Sequence, residues 1–178
     1  MKKTIKLLAI AFAFVVMAFG GCVYLFAPRP PKEAKLIQNF NEHRAAFEQL
    51  RDMLQADTNL WTVSDRGIEI RQPPFRGSPT EANFPTDRFN KYQVLLKEVG
   101  GLGAGSGDGK HHYACISIWQ YGLLVNLRHI DILWLEKPPT NQVSSLEGYL
   151  AYSTNADVVF KHIDQNWYFS SDGLIPAK

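Results

Sequence analysis

From Leu7 to Ala27 the chain runs LLAIAFAFVVMAFGGCVYLFA, 21 residues without a charged side chain. As a helix at about 1.5 Å per residue this run is roughly 31 Å long, which matches the hydrocarbon core of a bilayer. Lys2, Lys3 and Lys6 precede it, and Pro28, Arg29, Pro30 and Pro31 end it and return the chain to water. The chain therefore divides into a membrane-directed segment (residues 1–27), a Pro-rich linker (28–32) and a globular domain (33–178).

Three fates fit the first segment. It is a transmembrane signal anchor if retained whole. It is a lipoprotein signal if cut before Cys22, because Phe19-Gly20-Gly21-Cys22 resembles a bacterial lipobox and Cys22 would then carry the lipid. It is a plain signal peptide if cut after Gly20. Positive charges do not set the orientation: three lysines stand before the run, and Arg29, Lys32 and Lys35 follow it. The short basic tail ahead of an apolar run is the export pattern, and it predicts a bacterial membrane-anchored protein with its domain facing the periplasm or the cell exterior. Membrane contact through residues 7–27 is thus the first expected partner.

Charge sharpens the division. The whole chain carries 19 Lys and Arg against 17 Asp and Glu, a formal net charge of +2. Without residues 1–27, which hold three lysines and no acid, the remainder carries −1. A nearly neutral domain with no basic patch interleaved with aromatics gives no reason to expect nucleic acid as a partner. Two cysteines cannot make a disulfide-rich scaffold or a four-cysteine zinc site.

Within the domain, Leu36, Phe40, His43, Phe47, Leu50 and Leu54 fall at alternating spacings of four and three, which predicts one amphipathic helix of about six turns. Thr86-Asp87 reads as the cap of a second helix, with Phe89, Tyr92, Leu96 and Val99 on one face and Gly100 ending it. Short strands are predicted around Trp61-Thr62-Val63 and over Gly67–Ile70, followed by a long loop holding prolines 73, 74, 79 and 85. The C-terminal half holds the strand-like runs YACISIW, GLLVNL, HIDILWLEK and DVVFKHI, rich in β-branched and aromatic residues. Asp164-Gln165-Asn166 predicts a hairpin turn into WYF. Strands that follow one another without intervening helices pair antiparallel. The expected fold is α+β: two helices on one face of an antiparallel β-sheet, preceded by the N-terminal transmembrane or signal helix.

Four groups of residues invite a chemical reading. The segment from Gly100 to Lys110 holds six of the thirteen glycines, but neither phosphate-loop spacing fits in any register, and a flexible connection is expected. Arg128-His129-Ile130-Asp131 and Lys161-His162-Ile163-Asp164 repeat one pattern, each with a tryptophan three residues later. Were the two strands neighbours, His129, Asp131, His162 and Asp164 would converge as a metal or acid–base site. His111, His112 and Cys115 make a third cluster, although a lone cysteine is more commonly a small buried hydrophobe than a nucleophile. Finally Trp119, Trp134, Trp167 and Tyr168 lie in the strand region and form a candidate binding surface if they share the face the helices leave free. No motif calls for a cofactor.

The runs FNEHRAAFEQLRDML, RFNKYQVLLKEVGG and FKHIDQNWYFSSD resemble a family of small bacterial exported, membrane-anchored or lipoprotein-like proteins of uncharacterised function. The closing hairpin also loosely resembles cystatin-like and nuclear-transport-factor-like domains, in which a helix wraps a curved sheet. The resemblance implies an envelope setting and supplies no catalytic residues. The sequence thus leads to a membrane-tethered, non-catalytic binding or accessory domain for an envelope protein or small-molecule ligand. The alternative is a metal-assisted hydrolase of the cell envelope using the His/Asp residues.

Overall fold

Eight strands join edge to edge in the order β3-β2-β1-β4-β5-β6-β8-β7, every neighbouring pair antiparallel. They are β1 (Leu60–Ser64), β2 (Gly67–Ile70), β3 (Phe75–Gly77), β4 (Gly103–Ser106), β5 (Tyr113–Tyr121), β6 (Arg128–Leu135), β7 (Val158–Asp164) and β8 (Trp167–Asp172). Among the described residues three helices accompany them: α1 (Glu33–Glu42), α2 (Arg44–Ala56) and α3 (Thr86–Val99). The computed structural model describes residues 30–107, 113–121, 128–147 and 158–172. The apolar run 7–27 with Cys22, the strand expected at 122–127, and His111 and His112 lie outside the described residues. Among the described residues no helix is long and apolar enough to cross a membrane. The α+β class and the antiparallel sheet agree with expectation.

The helices cover one face because alternate residues of the central strands are apolar on that side only. Val63, Ala104, Ala114, Ile116, Ile130, Ile132, Trp167 and Phe169 are buried and pack with Leu36, Phe40, Phe47, Leu50 and Leu54 of α1 and α2 and with Tyr92, Leu96 and Val99 of α3. At the centre, Phe40 and Phe47 stand 5.3 Å apart between ring centroids, and both meet Trp167 of β8, at 5.4 and 6.1 Å. Tilted and edge-on rings at these separations add about 0.5–1.5 kcal/mol per pair beyond the burial of their area.

The expected six-turn helix is interrupted at His43, whose φ of −113° and ψ of 23° leave the helical region. The backbone hydrogen bonds Asn39 O to His43 N–H and His43 O to Phe47 N–H persist on either side, so the interruption is a one-residue kink. His43 does not complete the apolar stripe; it sits half-exposed, 3.8 Å from the Glu98 carboxylate. The kink directs Phe40 and Phe47 from two helices onto one tryptophan.

Two further expectations are corrected. The cap of α3 is Pro85, with no side-chain hydrogen bond; Thr86 is already helical, and Asp87 acts in the first turn on the helix dipole. Gly100 does end the helix in the left-handed conformation, at φ 67°. The glycine-rich segment is not merely a connection, since Gly103–Ser106 forms β4 between β1 and β5. Glycine is required there: a Cβ on Gly105 would stand 2.8 Å from the Trp61 carbonyl oxygen, and one on Gly103 would stand 3.0 Å from that of Val63. β3, in the proline-rich loop, also escapes a reading by composition.

The helix layer is tied together by polar contacts at its edges. Arg88 Nε and the Tyr92 hydroxyl both donate to Asp57 Oδ2, at 2.8 and 2.7 Å, fixing the end of α2 to the start of α3. Burial, then the hydrogen bond to Asp57, push the Tyr92 phenol far above its ordinary range. Glu33 at the start of α1 accepts from the Leu146 N–H at 2.8 Å and the Ser145 hydroxyl at 3.1 Å. Removing the central ring tests the packing: Trp167→Ala is expected to lower unfolding free energy by about 3–5 kcal/mol, measured by chemical denaturation. Trp61→Ala, at a half-exposed ring, is expected to change it by no more than about 0.5 kcal/mol.

Candidate functional site

Trp61 is the one tryptophan the fold leaves half outside, at 53% exposure. It occupies an irregularity in β1: Leu60 pairs with Ile70 and Thr62 with Glu69, so Trp61 is the extra residue between them. A bulge re-aims a side chain in this way, and here the indole leaves the core while Leu60 and Val63 remain in it. Arg71 lies over the ring, 5.9 Å from its centroid. The arginine is held in turn by Nη2, which donates to the Ser106 carbonyl at 2.5 Å and to the Ser106 hydroxyl at 3.1 Å.

Concavities flank the indole. On one side is a cleft of about 650 Å³, walled by Trp61, Ile70, Pro74 and Phe75 with Arg71 and Arg76. Ligand clefts of small molecules fall in this size range and share this mix of apolar walls and a few polar groups. On the other side is a smaller trough of about 240 Å³ floored by Gly103 and Gly105 and bordered by Thr62, Tyr113, Cys115 and Ser117. The same two glycines that let β4 approach β1 leave the sheet without side chains at the trough.

The trough continues into a polar row. Register places Ser64, Gly103, Ser117, Asp131 and Ser170 side by side across β1, β4, β5, β6 and β8, on the face away from the helices. Asp131 and Ser170 are buried. Asp131 Oδ2 lies 3.3 Å from His129 Nε2. Burial, then the Asp131 carboxylate nearby, push the Cys115 thiol well above its ordinary range, against a smaller opposing contribution from Ser117. A nucleophilic cysteine needs the opposite shift, so the surroundings of Cys115, half-buried at the border of the trough, guard it against ionisation.

The residues expected to act together are dispersed. β8 lies between β6 and β7, and Phe160 rather than His162 stands level with Asp131. Strand spacing and rise put His129 and His162 roughly 16 Å apart. His162 Nε2 is 2.9 Å from the Gln165 carbonyl within its own hairpin turn, and its ring is 5.2 Å from that of Tyr168. Asp164 pairs with Arg44 Nη1 at 2.5 Å, anchoring the hairpin to α2. Thus His129 and Asp131 meet, while His162 and Asp164 serve other contacts. Among the described residues no three His, Cys, Asp or Glu side chains are placed to hold a metal ion.

The expected aromatic surface also dissolves. Trp167 and Tyr168 are buried, and Trp119 and Trp134 are partly buried against the core. Arg51 lies 5.7 Å from the centroid of the Trp134 ring. Trp61, read from the sequence only as a strand residue, takes the place expected of them; the half-polar pattern of β1, Leu-Trp-Thr-Val-Ser, was its available signal. No protein-family model, curated sequence or solved structure matches the chain, so the site stands on its own geometry.

The guarded thiol has a checkable consequence. In a Cys22→Ser chain, Cys115 is expected to react with iodoacetamide about tenfold or more slowly when folded than when unfolded in guanidinium. Because its folded pKa lies above the unfolded value, the stability it contributes is whole below the ordinary thiol range near 8.5 and declines as pH rises beyond it. Between about pH 8.5 and 10 the unfolded chain releases this proton while the folded one keeps it. Thermal midpoints should therefore fall more steeply there for the parent than for Cys115→Ala.

Proposed function

We propose that this chain is a membrane-tethered, extracytoplasmic binding domain whose ligand sits against Trp61 on the helix-free face of the sheet. The observation that carries the reading is a half-exposed indole, fixed by Arg71 and set between two concavities, in a fold whose other tryptophans are turned toward the core. A large aromatic held rigid loses little freedom on binding and offers wide apolar contact, which is the property of an anchor residue in recognition.

The tether rests on the uncharged run 7–27 and its flanking lysines and prolines. The resemblance of the helical and hairpin runs to small exported proteins of the bacterial envelope points the same way. A non-catalytic role is favoured because the Cys115 thiolate is disfavoured by its surroundings and the His/Asp repeats are dispersed.

Binding at Trp61 is tested by placing a photo-crosslinking amino acid at position 61 of the full chain, and separately at Val94, which is 65% exposed on α3. Irradiation in cells followed by intact-mass analysis should give a discrete adduct at 61 and none at 94. No adduct at 61, or the same adducts at both positions, would refute the site. Orientation is read by C-terminal fusions: an active alkaline phosphatase and a dark fluorescent protein are expected, and a fluorescent cytoplasmic fusion would reverse the assignment.

A further inference from the structure

The Trp61 cleft contains a charge that no carboxylate of the described residues balances. Three charged side chains line it, Glu69, Arg71 and Arg76. Arg76 Nε meets Glu69 Oε1 at 2.9 Å, so these two neutralise one another. Arg71 has no such partner: its contacts are the two Ser106 oxygens and the Trp61 ring, and among the described residues no carboxylate lies within ion-pairing distance. Its Nε is buried without a hydrogen-bond partner. The cleft therefore carries one net positive charge on a partly buried guanidinium, beside the apolar surfaces of Ile70, Pro74 and Phe75.

Burying part of a cation without an opposing charge is unfavourable, and the contacts that hold Arg71 fix its direction without compensating its charge. A guanidinium so fixed is ready to pair with an anion, because the ordering of its long side chain is already complete. Resting on the binding role proposed above, we infer that the ligand of this cleft is a small amphiphilic monoanion: an apolar group seated between Trp61, Pro74 and Phe75, bearing a carboxylate that pairs with Arg71. The single uncompensated charge selects a monoanion over a dianion such as a phosphate monoester. The cleft volume of about 650 Å³ selects a small molecule.

The test uses the full chain in lipid nanodiscs, labelled with 5-fluorotryptophan, with the residue-61 fluorine resonance assigned from Trp61→Phe. The probes are 2-naphthylacetate, its neutral amide, and 2-naphthyl phosphate. The acetate should shift the Trp61 resonance with an affinity about tenfold or more above that of the amide, the range of one charge-assisted pair. Arg71→Gln should erase that difference while leaving the buried Trp167 resonance in place, which reports that the variant is folded. Equal affinities for acetate and amide would overturn the anion assignment and leave the Trp61 site standing. Tighter binding of the phosphate would overturn the monoanion assignment. If no probe moves the Trp61 resonance, both the ligand class and the binding site fall. The acetate–amide comparison needs no variant, so a misfolded Arg71→Gln chain does not remove the test.

Discussion

The contact of Phe40 and Phe47 with Trp167 determines how the molecule is divided. One tryptophan on β8 receives a phenylalanine from each side of a helix kink, which commits α1 and α2 to the same sheet face. The α3 helix then packs beside α2 and is locked there by the Asp57–Arg88–Tyr92 contacts. All three helices of the described residues pack on one side of the sheet.

The sheet itself is unequal along its width. The strands β5, β6, β8 and β7 are six to nine residues long, with a large aromatic core beneath them and a buried carboxylate and serine on the far side. β1, β2, β3 and β4 are five residues or fewer, and two of the four residues of β4 are glycine. Long strands with side chains on both faces make a rigid platform. Short strands floored by glycine make the concavities. Trp61 lies in the second region, next to the first, so its anchor position combines access with support.

This inequality explains what the sequence disclosed and what it concealed. The Gly100 stop, the β-branched strands β5, β6 and β7 and the hairpin into Trp167 are local signals, and each appears where the local pattern places it. The kink at His43 falls inside an unbroken apolar spacing, and no local pattern marks it. Glycine signals flexibility and close backbone approach with the same letter, so β4 was indistinguishable from a linker until its neighbours were known. The aromatic residues expected to bind are in the longest strands, which is where a core takes them. The exposed Trp61 lies in a short strand, turned outward by a single extra residue. The repeated His-Ile-Asp motif failed for a related reason: shared sequence does not imply adjacent strands, and β8 inserts between the two copies.

Charge is spread thinly over the fold. Beyond residue 27 the chain carries a formal charge of −1. Arg71, partly buried, differs from four other arginines of the described residues. Arg44, Arg51, Arg76 and Arg88 each meet a carboxylate in the fold, at 2.5 to 3.1 Å. Such pairs are satisfied before any ligand arrives and gain little by exchanging one acid for another. Arg71 is held by neutral groups alone, a carbonyl, a hydroxyl and an indole, which orient the guanidinium while leaving its charge available. An anion at that position gains the full attraction of a partly desolvated cation and incurs no competing ion pair, so a weakly charged domain can discriminate by charge at one point.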